Sequence, residues 1–327
     1  EFIPILYKGK QNLPIKSICQ ISQNELCLGT DGKGTKIFNI PKQLITDYPF
    51  DNNYLDSGTS KVHSVLKDNA GNLWIAIYQK GVMMIPAQPN SFKYIGYKSI
   101  NKNIIGSNCI TSLCRDHKGI LWIGTDNDGI YGITTELKQK VHYAPHDSPS
   151  SVPSTVFGLY EDSEHNLWFG SYTNGLGRLD KKTGQCSYLQ NLTDKNGNRI
   201  QRVYDLVEDQ DKRLWIATMG AGLFYYDLKT GQSVYDPKFN AATKKYKWIS
   251  CLLYAGDNHL YVGTYDGIRC IDLSTDDFKT EEILSRHIIH SLYEDPQGNI
   301  WIGNSEGLAE WNPQTQQLKT YTTAHGL

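Results

Sequence analysis

The sequence predicts an all-β protein, a seven-bladed β-propeller of four-stranded antiparallel blades. One sequence unit recurs seven times, with units starting near residues 15, 62, 110, 156, 203, 249 and 289. Successive units are about 40 to 48 residues apart, which is the period of a propeller blade and not of a helical array. Each unit consists of short apolar runs separated by turn residues, without helical patterns of useful length.

The first strand of each unit is an alternating run rich in β-branched and aromatic residues, such as VHSVLK in the second unit. A tight turn follows this strand. Asp68, Asp116 and Asp295 open three of the turns, and a glycine stands three residues after each of them. Aspartate accepts hydrogen bonds from the turn backbone, and glycine tolerates the left-handed conformation that closes the turn. His165 and Lys212 occupy the glycine position in two units, where we expect a small strain.

The second strand carries the aromatic landmark of the unit. Tyr261 takes this position in the sixth unit and Cys27 replaces it in the first. The other five units have a tryptophan: Trp74, Trp122, Trp168, Trp215 and Trp301. A tryptophan buried between neighbouring sheets removes a large apolar area from water, so its truncation to alanine is expected to cost about 3–5 kcal/mol. The six aromatic landmarks are therefore predicted to be structural.

A short loop that ends in glycine joins the second strand to the third in every unit. These glycines are Gly34, Gly81, Gly129, Gly175, Gly222, Gly267 and Gly307. Such regularity indicates a positive φ or a close approach of backbone. The third strand, a turn such as KKTGQ and an outer strand complete the unit. One such sheet cannot bury both of its faces, whereas seven sheets arranged radially can.

Residues 1–327 are expected to form a single propeller. FIPILY near the N-terminus and LKTYTT near the C-terminus both have the pattern of an outer strand, which is one outer strand more than seven blades need. One of the two would close the last blade and the other would lead elsewhere. We therefore interpret the chain as one propeller excised from a longer protein.

The composition excludes several classes of partner. The chain has 33 basic and 34 acidic residues and no basic stripe, so binding of nucleic acid has no electrostatic support. No apolar run approaches the length of a membrane span, and we expect no direct membrane insertion. The seven cysteines are an odd number in distant units, which argues against a disulfide framework.

The repeat resembles a known family. The pattern D-x-x-G-N-L-W-I-G-T, followed by G-L and an outer strand that contains tyrosine, resembles the two-component regulator propeller repeat. The segments EDPQGNIWIGNSEGL and RDHKGILWIGTDNDGI match it best, and the first unit matches least. The resemblance covers essentially the whole chain.

The resemblance implies a periplasmic sensor region of a hybrid two-component system. In that family two successive propellers and a β-sandwich precede a membrane helix, a histidine kinase, a receiver and a helix-turn-helix domain. Many members respond to oligosaccharides, so the resemblance implies an oligosaccharide or other small ligand and signalling by phosphorelay in the full-length protein. It also implies contacts with adjacent propeller and β-sandwich domains. The repeat motif is structural and assigns no functional residue.

A ligand site is predicted on the face where two sets of loops meet. Alternating strand direction places the loops that precede the first strands beside the loops between the second and third strands, and long loops on a rigid scaffold are where recognition usually resides. Rings and polar groups suited to a sugar lie there. The candidate ligand-binding residues are His63, Tyr78, Tyr172, Arg202, Tyr204, Trp248, Tyr265, Arg286 and His290. The alternative is that most of these tyrosines pack between blades.

No catalytic motif, cofactor motif or metal motif is found in the sequence. It has no nucleophile elbow and no Gly-rich phosphate cradle, and the histidines of HIIH would face opposite sides of a strand. We therefore predict that this fragment is not an enzyme. Two alternatives stay open. A glycan-cleaving propeller would use His63, His290, Tyr204 and Arg202, and a protein-interaction scaffold or homodimer would use exposed rings on one face.

Overall fold

The computed structural model describes Tyr7 and residues 13–48, 59–88, 105–107, 109–134, 139–194, 196–235, 247–275 and 278–322. Its regular structure is entirely β, and the described residues contain no helix. Seven antiparallel sheets follow one another along the chain, one for each sequence unit. The fold class is therefore a seven-bladed β-propeller, as the repeats predicted. Except for Tyr7, the segment FIPILY lies outside the described residues.

The first compact unit, residues 1–103, contains blades one and two. Blade one consists of β1 (Ile15–Ser22), β2 (Glu25–Thr30), β3 (Thr35–Asn39) and β4 (Leu44–Asp47). The strands of blade two that the structure describes are β5 (Val62–Lys67), β6 (Leu73–Ile77) and β7 (Gly81–Ile85). The first strands of the two blades, β1 and β5, contact each other.

The second compact unit, residues 104–327, contains blades three to seven, each with four strands. Blade three consists of β8 (Ile110–Arg115), β9 (Leu121–Thr125), β10 (Ile130–Ile133) and β11 (Gln139–Tyr143). Blade four consists of β12 (Val156–Glu161), β13 (Leu167–Ser171), β14 (Leu176–Leu179) and β15 (Cys186–Tyr188). Blade five consists of β16 (Val203–Glu208), β17 (Arg213–Thr218), β18 (Leu223–Asp227) and β19 (Gln232–Tyr235).

Blade six consists of β20 (Ile249–Tyr254), β21 (His259–Thr264), β22 (Gly267–Asp272) and β23 (Thr280–Ser285). Blade seven consists of β24 (Ile289–Glu294), β25 (Ile300–Asn304), β26 (Gly307–Asn312) and β27 (Gln317–Tyr321). β27 contains LKTY of the LKTYTT segment, which the sequence predicted to be an outer strand. Consecutive first strands of the second unit contact each other, from β8 and β12 through to β20 and β24.

The apolar core of the second unit lies between consecutive blades. Side chains of one blade and the next form each buried cluster: Trp122 of blade three packs with Phe169 of blade four, and Trp215 of blade five with Ile249 of blade six. Each four-stranded sheet therefore buries a face against its neighbour, which is the requirement that predicted the radial arrangement.

The glycine of the W-I-G-T motif allows this close packing. A Cβ on Gly170 would lie 2.4 Å from the backbone oxygen of Val203, which belongs to the first strand of the next blade. A Cβ on Gly263 would lie 2.8 Å from Cγ2 of Ile289, again in the next blade. Real Cβ atoms do not approach other atoms so closely, so both positions exclude larger residues unless the neighbouring strand shifts.

The left-handed backbone positions predicted from the sequence are confirmed. All seven glycines where the loop meets the third strand have positive φ, from 70° at Gly34 to 141° at Gly307. His165 and Lys212, which replace glycine in the first turn of their blades, have φ of 67° and 70°. The sequence therefore identified the strained turns correctly.

The landmark residues differ in burial. Trp122, Trp168, Trp215 and Tyr261 are buried and Trp301 is half-buried, but Trp74 is 39% exposed. The expectation of burial is therefore wrong for Trp74. A tyrosine of the outer strand stacks on the tryptophan in blades three and seven, through Tyr143 and Tyr321. Within the part of the chain that the structure describes, no ring packs on Trp74.

Candidate ligand-binding face

Every first strand has a β-bulge near its start. The pairing with the second strand shifts after the first residue, so the residue that follows has no partner in the ladder. These bulged residues are Lys16, His63, Thr111, Phe157, Tyr204, Ser250 and His290. A bulge redirects a side chain and is common beside functional sites. Three of the candidate residues, His63, Tyr204 and His290, therefore occupy equivalent redirected positions.

The last residue of the second strand fixes the loop that follows it. The hydroxyl of Ser171 donates to the carbonyl of Gly175 at 3.1 Å and accepts from the amide of Asn174 at 2.8 Å. Thr264 Oγ1 donates to the carbonyl of Gly267 in the same way at 2.8 Å. Tyr172 and Tyr265 directly follow these hydroxyl residues, so both rings project from loops that side-chain hydrogen bonds hold in place.

Backbone hydrogen bonds connect the two sets of loops across neighbouring blades of the second unit. The amide of Arg202 donates to the carbonyl of Tyr172 at 3.2 Å, and the amide of Arg286 donates to the carbonyl of Asp266 at 3.0 Å. Within blade six, the amide of Tyr265 donates to the carbonyl of Trp248 at 3.3 Å. Met219 also forms a β-bridge with Trp248. The loops before the first strands and those after the second strands therefore share one face, as strand direction predicted.

Five aromatic side chains lie along this face and are named here the aromatic row: Phe157, Tyr172, Tyr204, Trp248 and Tyr265. The ring of Phe157 stacks on Tyr204 with centroids 4.7 Å apart and meets Tyr172 edge-on at 5.9 Å. Trp248 and Tyr265 form a second edge-to-face pair at 5.5 Å. Tyr172, Trp248 and Tyr265 are 42%, 45% and 46% exposed, so these rings do not simply pack between blades.

The Tyr204 hydroxyl stays protonated at neutral pH. Burial raises the pKa of Tyr204 above its ordinary value, and the nearby Tyr265 raises it further. A neutral phenol both donates and accepts hydrogen bonds, which suits a hydroxylated ligand.

Two arginines flank the aromatic row. The guanidinium of Arg202 lies 5.1 Å from the ring centroid of Tyr172, a cation–π arrangement. Arg202 and Arg286 both have positive φ, at 54° and 62°, and both are exposed. No carboxylate of the described residues pairs with either guanidinium. The two charges are therefore available to an acidic or polyhydroxylated ligand.

The remaining candidates are placed as follows. His63 and Tyr78 belong to the first unit, where their rings stack with centroids 5.1 Å apart and Tyr78 is exposed. His290 is exposed at the bulge of β24 in the second unit. Across the described ranges it makes no hydrogen bond or ring contact with Tyr204 or Arg202. The catalytic alternative required these side chains to converge.

Phe157 is a member of the row that the choice of candidate residues left out. It occupies the same strand position as Tyr204, which the aligned repeats show. Its contact with Tyr204 depends on neighbouring bulges in β12 and β16, and the repeat pattern does not reveal a bulge.

Comparison with known proteins identifies the repeats. A family model described as the two-component regulator propeller matches residues 104–127, 150–173, 194–220 and 283–306. These segments are two-component regulator propeller repeats. Each of them contains a first strand and a second strand with the loop residues next to them, and together they contain Tyr172, Arg202, Tyr204, Arg286 and His290. No curated protein matches the sequence.

Two of the solved structures that resemble this propeller are extracellular domains whose chains are longer than this one. The extracellular domain of a putative one-component system from B. thetaiotaomicron matches with a TM-score of 0.60 and 20% identity over 94% of this chain and 43% of that one. The extracellular domain of a putative hybrid two-component system from the same organism matches with a TM-score of 0.56 and 20% identity, over 96% and 47%. This propeller thus spans less than half of either chain.

A surface component of the type-IX secretion system of Porphyromonas gingivalis also shares the fold. The TM-score is 0.54 at 11% identity, over 95% of this chain and 58% of that one. At these identities the structural likeness establishes the fold alone. Over the residues that the structure describes, no helix has the length and hydropathy needed to cross a membrane.

Proposed function

We propose that this propeller is the extracytoplasmic ligand-sensing domain of a hybrid two-component receptor and that the aromatic row binds an oligosaccharide. The observation that carries the proposal is the exposure of Tyr172, Trp248 and Tyr265 on a face built from anchored loops. The repeat family and the similarity to extracellular domains of bacterial signalling systems support the sensor assignment. The proposed location is the periplasm.

The chemistry of the row fits a sugar. The apolar face of a pyranose stacks on aromatic rings, while its hydroxyl groups need donors and acceptors nearby. Trp248 and Tyr265 supply flat apolar surface, and the neutral Tyr204 hydroxyl supplies both hydrogen-bonding roles. Arg202 and Arg286 would favour a ligand with carboxylate or sulfate groups, because their guanidinium groups donate in a bidentate geometry.

In the full receptor, signalling would depend on how ligand binding changes the arrangement of domains. A ligand that contacts one arrangement better than another shifts the equilibrium, and a coupling energy of about 1–3 kcal/mol suffices. We propose that residues 1–327 form one propeller of such a receptor, next to another propeller and a β-sandwich. The histidine kinase that receives the signal would lie elsewhere in the receptor.

Titration with a panel of neutral and acidic oligosaccharides tests the proposal. A ligand present at a hundred times its Kd should raise the free energy of unfolding by about 2.7 kcal/mol, seen as a thermal shift. Trp248→Ala and Tyr172→Ala should each weaken binding at least tenfold, or ~1.4 kcal/mol. Tyr293→Ala is the matched control, because Tyr293 is equally a surface ring but lies on β24 outside the row. Equal losses in all three variants would argue against the row.

A second candidate function is a protein-interaction or dimerisation scaffold. The exposed rings of Tyr172, Trp248 and Tyr265 favour it, since aromatic residues are enriched at the centres of protein interfaces. Sedimentation of the isolated chain separates the two functions: self-association that Trp248→Ala abolishes, without binding of any glycan, supports the scaffold. Release of product from a polysaccharide, lost in His290→Ala, would instead contradict the non-enzymatic assignment.

A further inference from the structure

A group of metal-binding side chains lies away from the aromatic row, where blade three meets blade four. His117 stands in the turn after β8, while Glu161 ends β12 and His165 stands in the turn after it. His117 Nδ1 is 2.9 Å from Glu161 Oε1, and the two imidazole rings stack with centroids 3.7 Å apart. One potential ligand atom from each of the three residues lies within 4.8 Å of the others.

We propose that His117, Glu161 and His165 bind one Zn²⁺ ion, which clips blade three to blade four. Imidazole nitrogen and carboxylate oxygen are ordinary zinc ligands at about 2.0–2.2 Å. Drawing three ligand atoms that already lie within 4.8 Å of one another onto such an ion requires only side-chain adjustment. Two blades contribute ligands, so binding would resist their separation.

The surroundings leave one coordination position accessible. A cavity of about 800 Å³ is lined by His117 and His165 and by the apolar surface of Trp122. Zinc sites with three protein ligands take water or a substrate group in the fourth position. Water in the cavity would supply the fourth ligand, and the cavity would give the ion a path to the site.

The carboxylate of Glu161 already holds a cation, because it pairs with the ammonium of Lys181 and lies beside His117. Lys181 forms an ion pair with Glu161 Oε1 and lies 3.7 Å from Asp116 Oδ2. The ion would displace the Lys181 ammonium from Glu161, and the ammonium would remain beside Asp116. Lys181 is therefore a competitor of the metal.

Calorimetric titration of the whole chain with ZnCl₂ tests the site. The wild-type protein should bind one ion, and its thermal unfolding midpoint should fall when EDTA is added. His117→Ala and His165→Gly should each weaken binding by at least ~10-fold, since even indirect partners of a metal commonly have such effects. His259→Ala is the matched control, because the ring of His259 also lies beside a carboxylate, 3.1 Å from Asp257, but no second histidine of the described residues joins that pair.

The choice of glycine at position 165 keeps the fold intact. His165 has a φ of 67°, and Gly71, Gly119 and Gly298 occupy the same turn position in three other blades. His165→Gly should therefore raise the unfolding midpoint of the metal-free protein while it removes a ligand. Absence of saturable Zn²⁺ binding to the wild type, or binding that persists in both histidine variants, would overturn the proposal.

Lys181→Met provides an independent test, because Zn²⁺ binding by exposed histidines alone would not depend on Lys181. Removal of the competing ammonium frees Glu161 Oε1, so Zn²⁺ should bind more tightly than to the wild type. Unchanged or weaker affinity in this variant would show that the ion does not use Glu161, and the three-residue site would be wrong. Circular dichroism of the metal-free variant confirms that the blades remain folded.

Discussion

The indole Nε1 of Trp215 donates a 2.7 Å hydrogen bond to Oδ2 of Asp209, six residues earlier in the chain. The other oxygen of Asp209 accepts from turn amides, including that of Arg213 at 3.0 Å. The same bond recurs in four further blades: Trp74 to Asp68, Trp122 to Asp116, Trp168 to Asp162 and Trp301 to Asp295. One carboxylate thus joins the turn to the landmark of the second strand.

The aspartate and the tryptophan are both replaced in the two blades that lack this hydrogen bond. Blade six has Ala255 in place of the aspartate and Tyr261 in place of the tryptophan, and blade one has Ile21 and Cys27. Without the indole donor the aspartate would keep its bonds to the turn amides but lose one charge-assisted hydrogen bond, so a blade that lacks the tryptophan gains less from the aspartate.

Replacing Trp215 by phenylalanine should lower the free energy of unfolding by about 2–4 kcal/mol, because the buried Asp209 loses a donor and a cavity forms. Trp74→Phe removes the same hydrogen bond from Asp68, but Trp74 is 39% exposed and water can replace the donor. The free energy of unfolding of Trp74→Phe should therefore fall by less than about 1 kcal/mol. Urea unfolding of both variants measures the difference, and equal losses would contradict the role of burial.

The blade pattern could be predicted from the sequence because single residue types report local backbone conformation. Gly175 and Gly267 have the positive φ that their recurrence indicated. The six-residue spacing of aspartate and tryptophan is visible in the sequence, but the turn alone explains the aspartate, so the pattern does not predict the hydrogen bond between them. The exposure of Trp74 could not be predicted, because burial depends on what a neighbouring strand supplies.

The candidate site could be predicted only in part. Strand alternation placed Tyr172, Arg202 and Trp248 on one face, and backbone hydrogen bonds across blades agree with that placement. No particular residue type marks the bulges that redirect Phe157 and Tyr204, so the sequence does not predict them. The cluster around Glu161 joins side chains 44 residues apart in sequence, so no local motif could show it.

Stability should depend on pH through Asp205. Its carboxylate accepts from the amide of Leu252 in the next blade at 2.8 Å and from Leu206 at 2.9 Å. Although part of its surface is accessible, dense protein surroundings raise its pKa to about 6, and the two hydrogen bonds only partly offset this. The folded state therefore binds a proton that the unfolded state has released.

Because the folded pKa is the higher one, this stability is complete below the unfolded pKa of about 4 and is lost as pH rises through about 6. The loss should be on the order of 1–3 kcal/mol. Asp205→Asn should flatten the unfolding free energy between these pH values. Carboxylates whose pKa is lowered, such as Asp116 and Glu161, lose their contribution only as pH falls below about 4.5, so the two effects separate.

Gly170→Ala should destabilise the protein by about 1–3 kcal/mol, because the new methyl group would lie against the backbone oxygen of Val203 in the next blade. Gly197→Ser is a matched control for a change at glycine without crowding, since no atom lies within 4 Å of a Cβ there. The expected cost in this variant is the backbone strain of a side chain at a φ of 81°, about 1 kcal/mol of unfolding free energy. Unfolding midpoints that rank the variants in the opposite order would show that the blades are not tightly packed at Gly170.

At Arg202 the backbone conformation lowers stability, while the side chain is expected to favour ligand binding. Its φ of 54° is unfavourable for any residue with a side chain, and its guanidinium lies over the ring of Tyr172. Arg202→Gly relieves the backbone and removes the charge, whereas Arg202→Ala removes the charge and keeps the strain. We expect the glycine variant to be more stable than the alanine variant by about 1 kcal/mol, while both bind an acidic oligosaccharide more weakly to the same extent. If the glycine variant alone lost binding, the backbone conformation, and not the charge, would be what positions the ligand.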